Sequence, residues 1–323
     1  MSKINWEEIV SEFDKLNILV IGDAMIDSYI WGDIERNSPE APIPIVNATK
    51  YEKKLGGAAN VALNIKSLGA NPTLISVIGN NDNGFLDLMK KFDLSVEGIL
   101  QEDRLTTTKT RVISNNKHQL RIDEENTNDI VSENELINQV FNSLAKTDVV
   151  LFQDYNKGVL TKRVIREVID KCNELNIPTL ADPKLKNYWE YKNVSLFKPN
   201  LKELNNSSES EILSSDLKSI SLEVKKQRLK LNAKEIIVTL SDNGVFFQND
   251  NLEFHLPIYI KDIVDVSGAG DCVIAILALI YNSNLNKKEI VSLANLCGGL
   301  ACKKVGVASL EKVELTEQAI RLI

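Results

Sequence analysis

Basic runs, histidines, paired cysteines and long apolar stretches are all scarce in this chain of 323 residues. The net charge is −7 and no long basic run occurs. That argues against nucleic acid as a main partner, because phosphate backbones recruit clustered Lys and Arg. Histidine occurs only at His118 and His255, which excludes a multi-histidine metal centre. The cysteines are Cys172, Cys272, Cys297 and Cys302. None forms a CxxC pair, and no histidine separates the last two, so buried thiols in a reducing cytoplasm are expected. No apolar run approaches the roughly 18 residues that span a bilayer. The opening MSKINWEEIVSEFDKLN is acidic and amphipathic and lacks the basic start of a signal peptide. Membrane partners are therefore not expected, and the chain reads as cytoplasmic. Neither GxxxxGK[ST] nor GxGxxG occurs, which removes the P-loop and disfavours dinucleotide chemistry.

What is present is an ordinary soluble composition, 43% apolar and 26% charged. Short apolar runs alternate with helical patterns. ILVIGDAMID (18–27), PTLISVIGN (72–80), DVVLFQDYN (148–156), IPTLADPK (177–184), VSLFKPN (194–200) and EIIVTLSDNG (235–244) read as strands. GGAANVALNIKSLG (56–69), DNGFLDLMKKFD, TKRVIREVIDKCNELN (161–176) and stretches near 270–282 and 287–304 read as helices. The alternation predicts an α/β fold with a mainly parallel sheet covered on both faces. Ligands of such sheets bind beyond the C-terminal strand ends. Polar residues stand there: Asp23, Asp27, Asp154, Asp182, Asn200 and Ser241.

Two stretches, about 28–54 and 106–125, break the rhythm and read as β-rich. RVIS and HQLRID flank an Asn-Asn-Lys turn, a hairpin signal. They form either a small β-sheet lid or ordinary edge hairpins; the lid is the expectation carried forward. No repeat or linker is visible, and 205–216 reads as a loop leading into a helix. A single domain over 1–323 is expected.

DVSGAGDCVIA carries the chemistry. Glycines before an apolar helix place unpaired backbone amides at a helix N-terminus, an anion cradle. Asp271 in the first turn has two readings, a helix cap or a general base beside that cradle. GGAAN adds a second glycine pair, and Asn60 offers the donor and acceptor that a polyol requires; the alternative is close helix packing.

Together, GGAANVALNIKSLGA and DVSGAGDCVIA resemble the two signatures of the ribokinase-like (PfkB) carbohydrate kinases, with KPNLKEL between them. The resemblance covers about 16–312 and implies a three-layer α/β/α sandwich with a β lid. It implies Asp271 as base, and Gly268, Ala269 and Gly270 as anion-hole amides. Asp27, Gly56, Gly57 and Asn60 would hold sugar hydroxyls. Asn200 and Glu203 would organise Mg²⁺ and the phosphates of ATP, largely through water. Ser241 and Gly244 would lie along the nucleotide, and Asn295 near adenine. Asp265 and Ser267 fall where some relatives bind a monovalent cation such as K⁺.

GDAMIDSYIWGDIERNSPEAPIPIV (22–46), DYNKG, ADPK and VTLSDNG are similar to the segments of D-glycero-β-D-manno-heptose 7-phosphate kinases. That narrower resemblance implies phosphorylation of the anomeric hydroxyl. The alternative is a relative acting on ribose, fructose, a sugar phosphate or a nucleoside, with a non-catalytic sensor as a further rival. A phosphorylated substrate requires a cationic pocket, for which Lys157, Lys184, Arg111 and Arg121 are candidates. The SPEAP segment (38–42) is expected to help shape it, with Arg36 and Glu40 as contacts. Many such kinases are fused to an adenylyltransferase. No HxGH motif is present, so a stand-alone kinase, or one cut from a fusion, is expected beside a separate adenylyltransferase partner. A homodimer through the lid is expected as well.

Overall fold

The computed structural model describes residues 4–115, 117–304, 306 and 309–323. Its strands are β1 (Asn17–Gly22), β2 (Ala24–Asn37), β3 (Pro44–Gly57), β4 (Asn71–Asn81), β5 (Ile99–Leu105), β6 (Thr108–Ser114), β7 (Lys117–Glu124), β8 (Val149–Gln153), β9 (Thr179–Asp182), β10 (Leu196–Phe197), β11 (Glu235–Thr239), β12 (Val245–Gln248) and β13 (Glu253–Leu256). The helices are α1 (Trp6–Ser11), α2 (Ala58–Ser67), α3 (Phe85–Lys91), α4 (Glu133–Ser143), α5 (Lys162–Glu174), α6 (Leu201–Asn206), α7 (Leu217–Leu231), α8 (Ala269–Ile280), α9 (Lys287–Ala301) and α10 (Lys312–Leu322).

A nine-stranded sheet runs β13-β12-β11-β10-β9-β8-β1-β4-β5. It is parallel from β11 to β5, and the antiparallel β12–β13 hairpin closes one edge. Alternate residues of each strand face opposite helical layers. Ile18 and Val20 pack with α2, α8 and α9, while Leu19 and Ile21 pack with α4, α5 and α7. This is the expected three-layer sandwich. The order leaves β1 towards β4 on one side and β8 on the other, so a crevice opens beyond the ends of β1 and β8.

The second sheet, β3-β2-β6-β7, is built from the segments that break the βα rhythm. It stands at the mouth of that crevice, because β2 follows β1 directly and β3 runs into α2. The run 18–27 is thus two strands rather than one. The Asp23 amide still bonds the Gln153 carbonyl of the main sheet, whereas Ala24 pairs with Gly57 of the lid. VSLFKPN yields only the two-residue β10. Asn115 of the Asn-Asn-Lys turn is left-handed at φ 51°, and Asn116 lies outside the described residues. The periodicity does not reveal β5, α4 or the β12–β13 hairpin. The polar stretch 205–216 does lead into α7.

All four cysteines are buried, and none of them is in a disulfide. Burial pushes the Cys172 thiol up to about 12. No helix among the described residues is long and apolar enough to cross a membrane.

Candidate active site

Gly268 caps α8 in the left-handed conformation, φ 79°, which turns the loop sharply into the helix. The Cys272 amide is the one that reaches back to the Gly268 carbonyl, at 3.0 Å. The amides ahead of it have no place in the helical ladder. That of Ala269 turns to the Val266 carbonyl at 3.3 Å. A Cβ at Gly270 would stand in ordinary van der Waals contact with Asp182 Oδ2 and Lys198 Nζ, each 3.8 Å away.

Asp271 is buried one residue further on. Its Oδ2 accepts from Asn60 Nδ2 at 2.7 Å. Its Oδ1 accepts from the Tyr155 hydroxyl at 2.8 Å and from Gln153 Nε2 at 3.1 Å. Burial pushes this carboxyl up to about 6, against the pull of the Asn60 and Tyr155 donors. The two glycine motifs, far apart in sequence, therefore meet at one carboxylate. Asn60 heads α2, which packs beside α8.

Asp27 closes the lid side of the crevice. One of its oxygens, Oδ1, pairs with Arg111. The other lies against Gly56, where a Cβ would come within 2.4 Å of Oδ2. Gly57 is left-handed, φ 57°, and a Cβ there would meet the Asp23 carbonyl at 2.3 Å. Asp23 is buried, and burial pushes its carboxyl up. Its oxygens accept from the amides of Tyr155, Lys157 and Val159 at 2.8, 3.0 and 3.0 Å. It thereby fixes the loop that carries Tyr155 and Lys157.

On the other side of Asp271 lies a cavity of about 600 Å³, lined by Gly268, Ala269, Gly270, Asp271, Asn200, Ser241, Gly244 and Asn295 together with Lys184 and Lys198. Ser241 and Gly244 both have left-handed backbones. Asn295 Nδ2 donates to the Pro257 carbonyl at 2.7 Å and so anchors one wall. Asn200 and Glu203 form a reciprocal capping box at the start of α6, both bonds 2.9 Å. The remaining Glu203 oxygen pairs with Lys184.

The cationic candidates thus divide. Lys184 stands with Glu203 on the cavity side, 5.4 Å above the Tyr155 ring. Arg111 and Lys157 lie towards the lid, Lys157 bonding Glu125 at 2.7 Å. Arg121 is on the exposed strand β7, paired with Asp123 at 2.9 Å. Asp265 accepts from the amides of Ser267 and Gly306 at 2.9 and 2.8 Å. Burial would raise its carboxyl, but those donors outweigh it and hold it below the ordinary range. Arg36 and Glu40 are exposed, and SPEAP forms the tip between β2 and β3 instead of lining the crevice. A rigid two-proline turn linking two long strands is carried outward by them.

Sequence reasoning does not single out Tyr155, Gln153 or Lys198. All three stand at or just past strand ends, where the position rule points. Lys198 bonds the buried Asp182 at 2.9 Å.

A parallel sheet with a switch-point crevice, a glycine-capped helix and a buried carboxylate beside a nucleotide-sized cavity defines a phosphoryl-transfer class of protein. Residues 15–313 match the pfkB family of carbohydrate kinases, and the chain belongs to that family. It is 38% identical over 307 residues to the bifunctional protein HldE of Campylobacter curvus, covering 94% of this chain and 65% of that one. It is 39% identical to the HldE of Sulfurimonas denitrificans, covering 93% and 63%. The chain thus spans a little under two thirds of these relatives. Among solved structures it is similar to phosphofructokinase-2 from Escherichia coli in complex with potassium, with TM-score 0.80 and 18% identity over 95% of this chain and 99% of that one. The ribokinase of Arabidopsis thaliana complexed with ribose and ATP aligns with TM-score 0.74 and 16% identity over 95% and 99%.

Proposed function

We propose that this chain transfers the γ-phosphate of ATP to the anomeric hydroxyl of D-glycero-β-D-manno-heptose 7-phosphate. The product is heptose 1,7-bisphosphate, on the route to ADP-heptose and lipopolysaccharide core. The observation that carries the transfer chemistry is Asp271, buried with an upshifted carboxyl between the cavity and the Asp27–Asn60 side. The SPEAP and DYNKG segments support the heptose phosphate as acceptor.

Asp271 Oδ1 already carries two donors, whereas Oδ2 carries one. An oxygen with a free lone pair is the one to take a proton, so Oδ2 receives that of the sugar hydroxyl. The sugar oxygen then forms a bond to the γ-phosphorus as the bond from that phosphorus to ADP breaks. The Gly270 and Asp271 amides in the first turn of α8, with the dipole behind them, stabilise the charge spreading over the phosphoryl oxygens. Lys198, held by Asp182 beside Gly270, adds positive charge at the same place. Asp27, Gly56, Gly57 and Asn60 orient the sugar.

A divalent metal fits as a hydrated ion. Both Glu203 oxygens are occupied, so Glu203 and Asn200 would meet water in the shell of Mg²⁺ more readily than the ion itself. Bound there with ATP, it neutralises phosphate charge. Asp265, with Ser267, remains anionic and suits K⁺.

The lid also supports a homodimer. On its outer face Tyr51, Ile30, Val112 and Leu120 stand opposite one another across the four strands. Tyr51 is 73% exposed and Leu120 57%. A second copy would cover this row. A reducing, ATP-supplied cytoplasm suits the buried thiols, none of them in a disulfide. A separate adenylyltransferase would act further along that route.

The test is ADP release with ATP·Mg on the heptose 7-phosphate, ribose, fructose and fructose 6-phosphate. Strong turnover on the heptose phosphate alone supports the reading. Turnover on another sugar retains the mechanism and discards the heptose.

A further inference from the structure

Two lysines converge on one carboxylate oxygen at the lid end of the crevice. Lys157 Nζ lies 2.7 Å and Lys109 Nζ 3.3 Å from Oε2 of Glu125. Lys109 also reaches Asp123 Oδ2 at 3.2 Å. The ammonium-bearing side chains are largely covered, 13% and 14% exposed. The pull of Lys157 holds the Glu125 carboxyl below its usual range.

Both lysines face the sugar side. Lys109 stands directly opposite Asp27 in the β2–β6 register and so shares its face of the lid. Lys157 follows Tyr155, whose hydroxyl bonds Asp271, on the loop that Asp23 pins from beneath. Arg104 braces the same loop by donating to the Lys157 carbonyl. Glu125 itself directly follows β7, the most exposed strand of the lid, on the connection to α4. It can withdraw without disturbing the main sheet.

We infer that Lys109 and Lys157 are the clamp for the distal phosphate of the acceptor, and that Glu125 occupies their charge as a placeholder until that phosphate displaces it. The inference rests on the reading of this chain as a sugar-phosphate kinase and adds Lys109 and Glu125 to it. Two ammonium groups meeting at one anionic oxygen reproduce the arrangement that a phosphate oxygen takes between point charges. A neutral sugar gives no such return for holding two lysines together under cover. The placeholder offsets the mutual repulsion of the two side chains in the free protein. It also sets selectivity: a hydroxymethyl group cannot displace Glu125, whereas a dianion can.

Displacement has a measurable consequence. Affinity for the distal phosphate is reduced by the fraction of time the clamp is closed on Glu125. Glu125→Gln should therefore lower the KM for the phosphorylated sugar by about 3- to 10-fold with kcat little changed. Lys109→Met should raise that KM about 10-fold or more. Inorganic phosphate provides the sugar-independent arm. It is titrated calorimetrically into the full chain with Mg²⁺ and a non-hydrolysable ATP analogue filling the nucleotide side. Binding should tighten in Glu125→Gln and vanish in Lys109→Met, with thermal melts confirming that both variants fold.

If the heptose reading alone is wrong, the phosphate arm retains this order and another sugar phosphate shows the same KM changes. Unchanged phosphate affinity in Glu125→Gln overturns the placeholder. An unchanged KM for phosphorylated acceptors in Lys109→Met overturns the clamp.

Discussion

The side-chain amide of Asn60 donates to Oδ2 of Asp271 at 2.7 Å across 211 residues of chain. One bond thus joins the glycine-led helix α2 to the glycine-capped helix α8. It holds the base in place and favours its ionised form. Removing the donor as Asn60→Ala should raise the Asp271 pKa. The acid limb of kcat/KM, expected near pH 6 from the upshifted carboxyl, should move to higher pH. The sign follows from the role: a base must be ionised, so the rate falls as pH drops through its pKa. An acid limb that stays put in the variant would exclude Asp271 as the titrating base.

Asp271→Asn keeps the shape and removes the basic oxygen. A loss of kcat of about 10²- to 10⁴-fold is expected, with ATP binding retained. Single-turnover ADP release alongside calorimetric ATP titration separates the two.

Gly56→Ala should act on the acceptor. The added Cβ would come within 2.4 Å of Asp27 Oδ2, so the carboxylate must swing away. An increase of about 10-fold or more in sugar KM is expected from a lost charged hydrogen bond, with the KM for ATP unaffected. Gly57→Ala differs, because a left-handed backbone and the Asp23 carbonyl oppose it. Its effect should be a loss of stability of about 1–3 kcal/mol, read by denaturant unfolding.

Asp154 supplies a stability signal. Burial and the neighbouring Asp23 push its carboxyl from 3.8 up to about 7. The folded protein then keeps a proton that the unfolded chain releases. This contribution is complete below pH 3.8 and is lost as pH rises through about 7. Asp154→Asn should therefore show a smaller fall in Tm between pH 4 and 8 than the unaltered chain, as calorimetry at several pH values would reveal.

The Glu203–Lys184 pair predicts the metal response. Chelating the divalent ion should abolish turnover, and Glu203→Ala should raise the KM for ATP·Mg. The same change removes a capping box and should cost about 1 kcal/mol of stability. An unaltered magnesium requirement curve in Glu203→Ala would remove this residue from the metal's surroundings.

The sequence alone determined the layered α/β architecture, the two β-rich insertions and the two glycine-led helices. These are local properties, since alternation of apolar residues, glycine before a helix and a hairpin turn act within a few residues. It also determined Asp271 and Asn60 as candidates, because each sits in the first turn of its helix. Tertiary structure alone decided that these two residues touch, and that Tyr155 and Gln153 share the same carboxylate. It decided that Lys184 turns to Glu203 while Lys157 and Lys109 meet at Glu125. It carried SPEAP out to the lid tip. Charged side chains choose partners by proximity in space, and burial sets how strongly each pair counts. Neither quantity is encoded in a run of residues; both appear only when strand order brings the ends of β1 and β8 together beneath the lid.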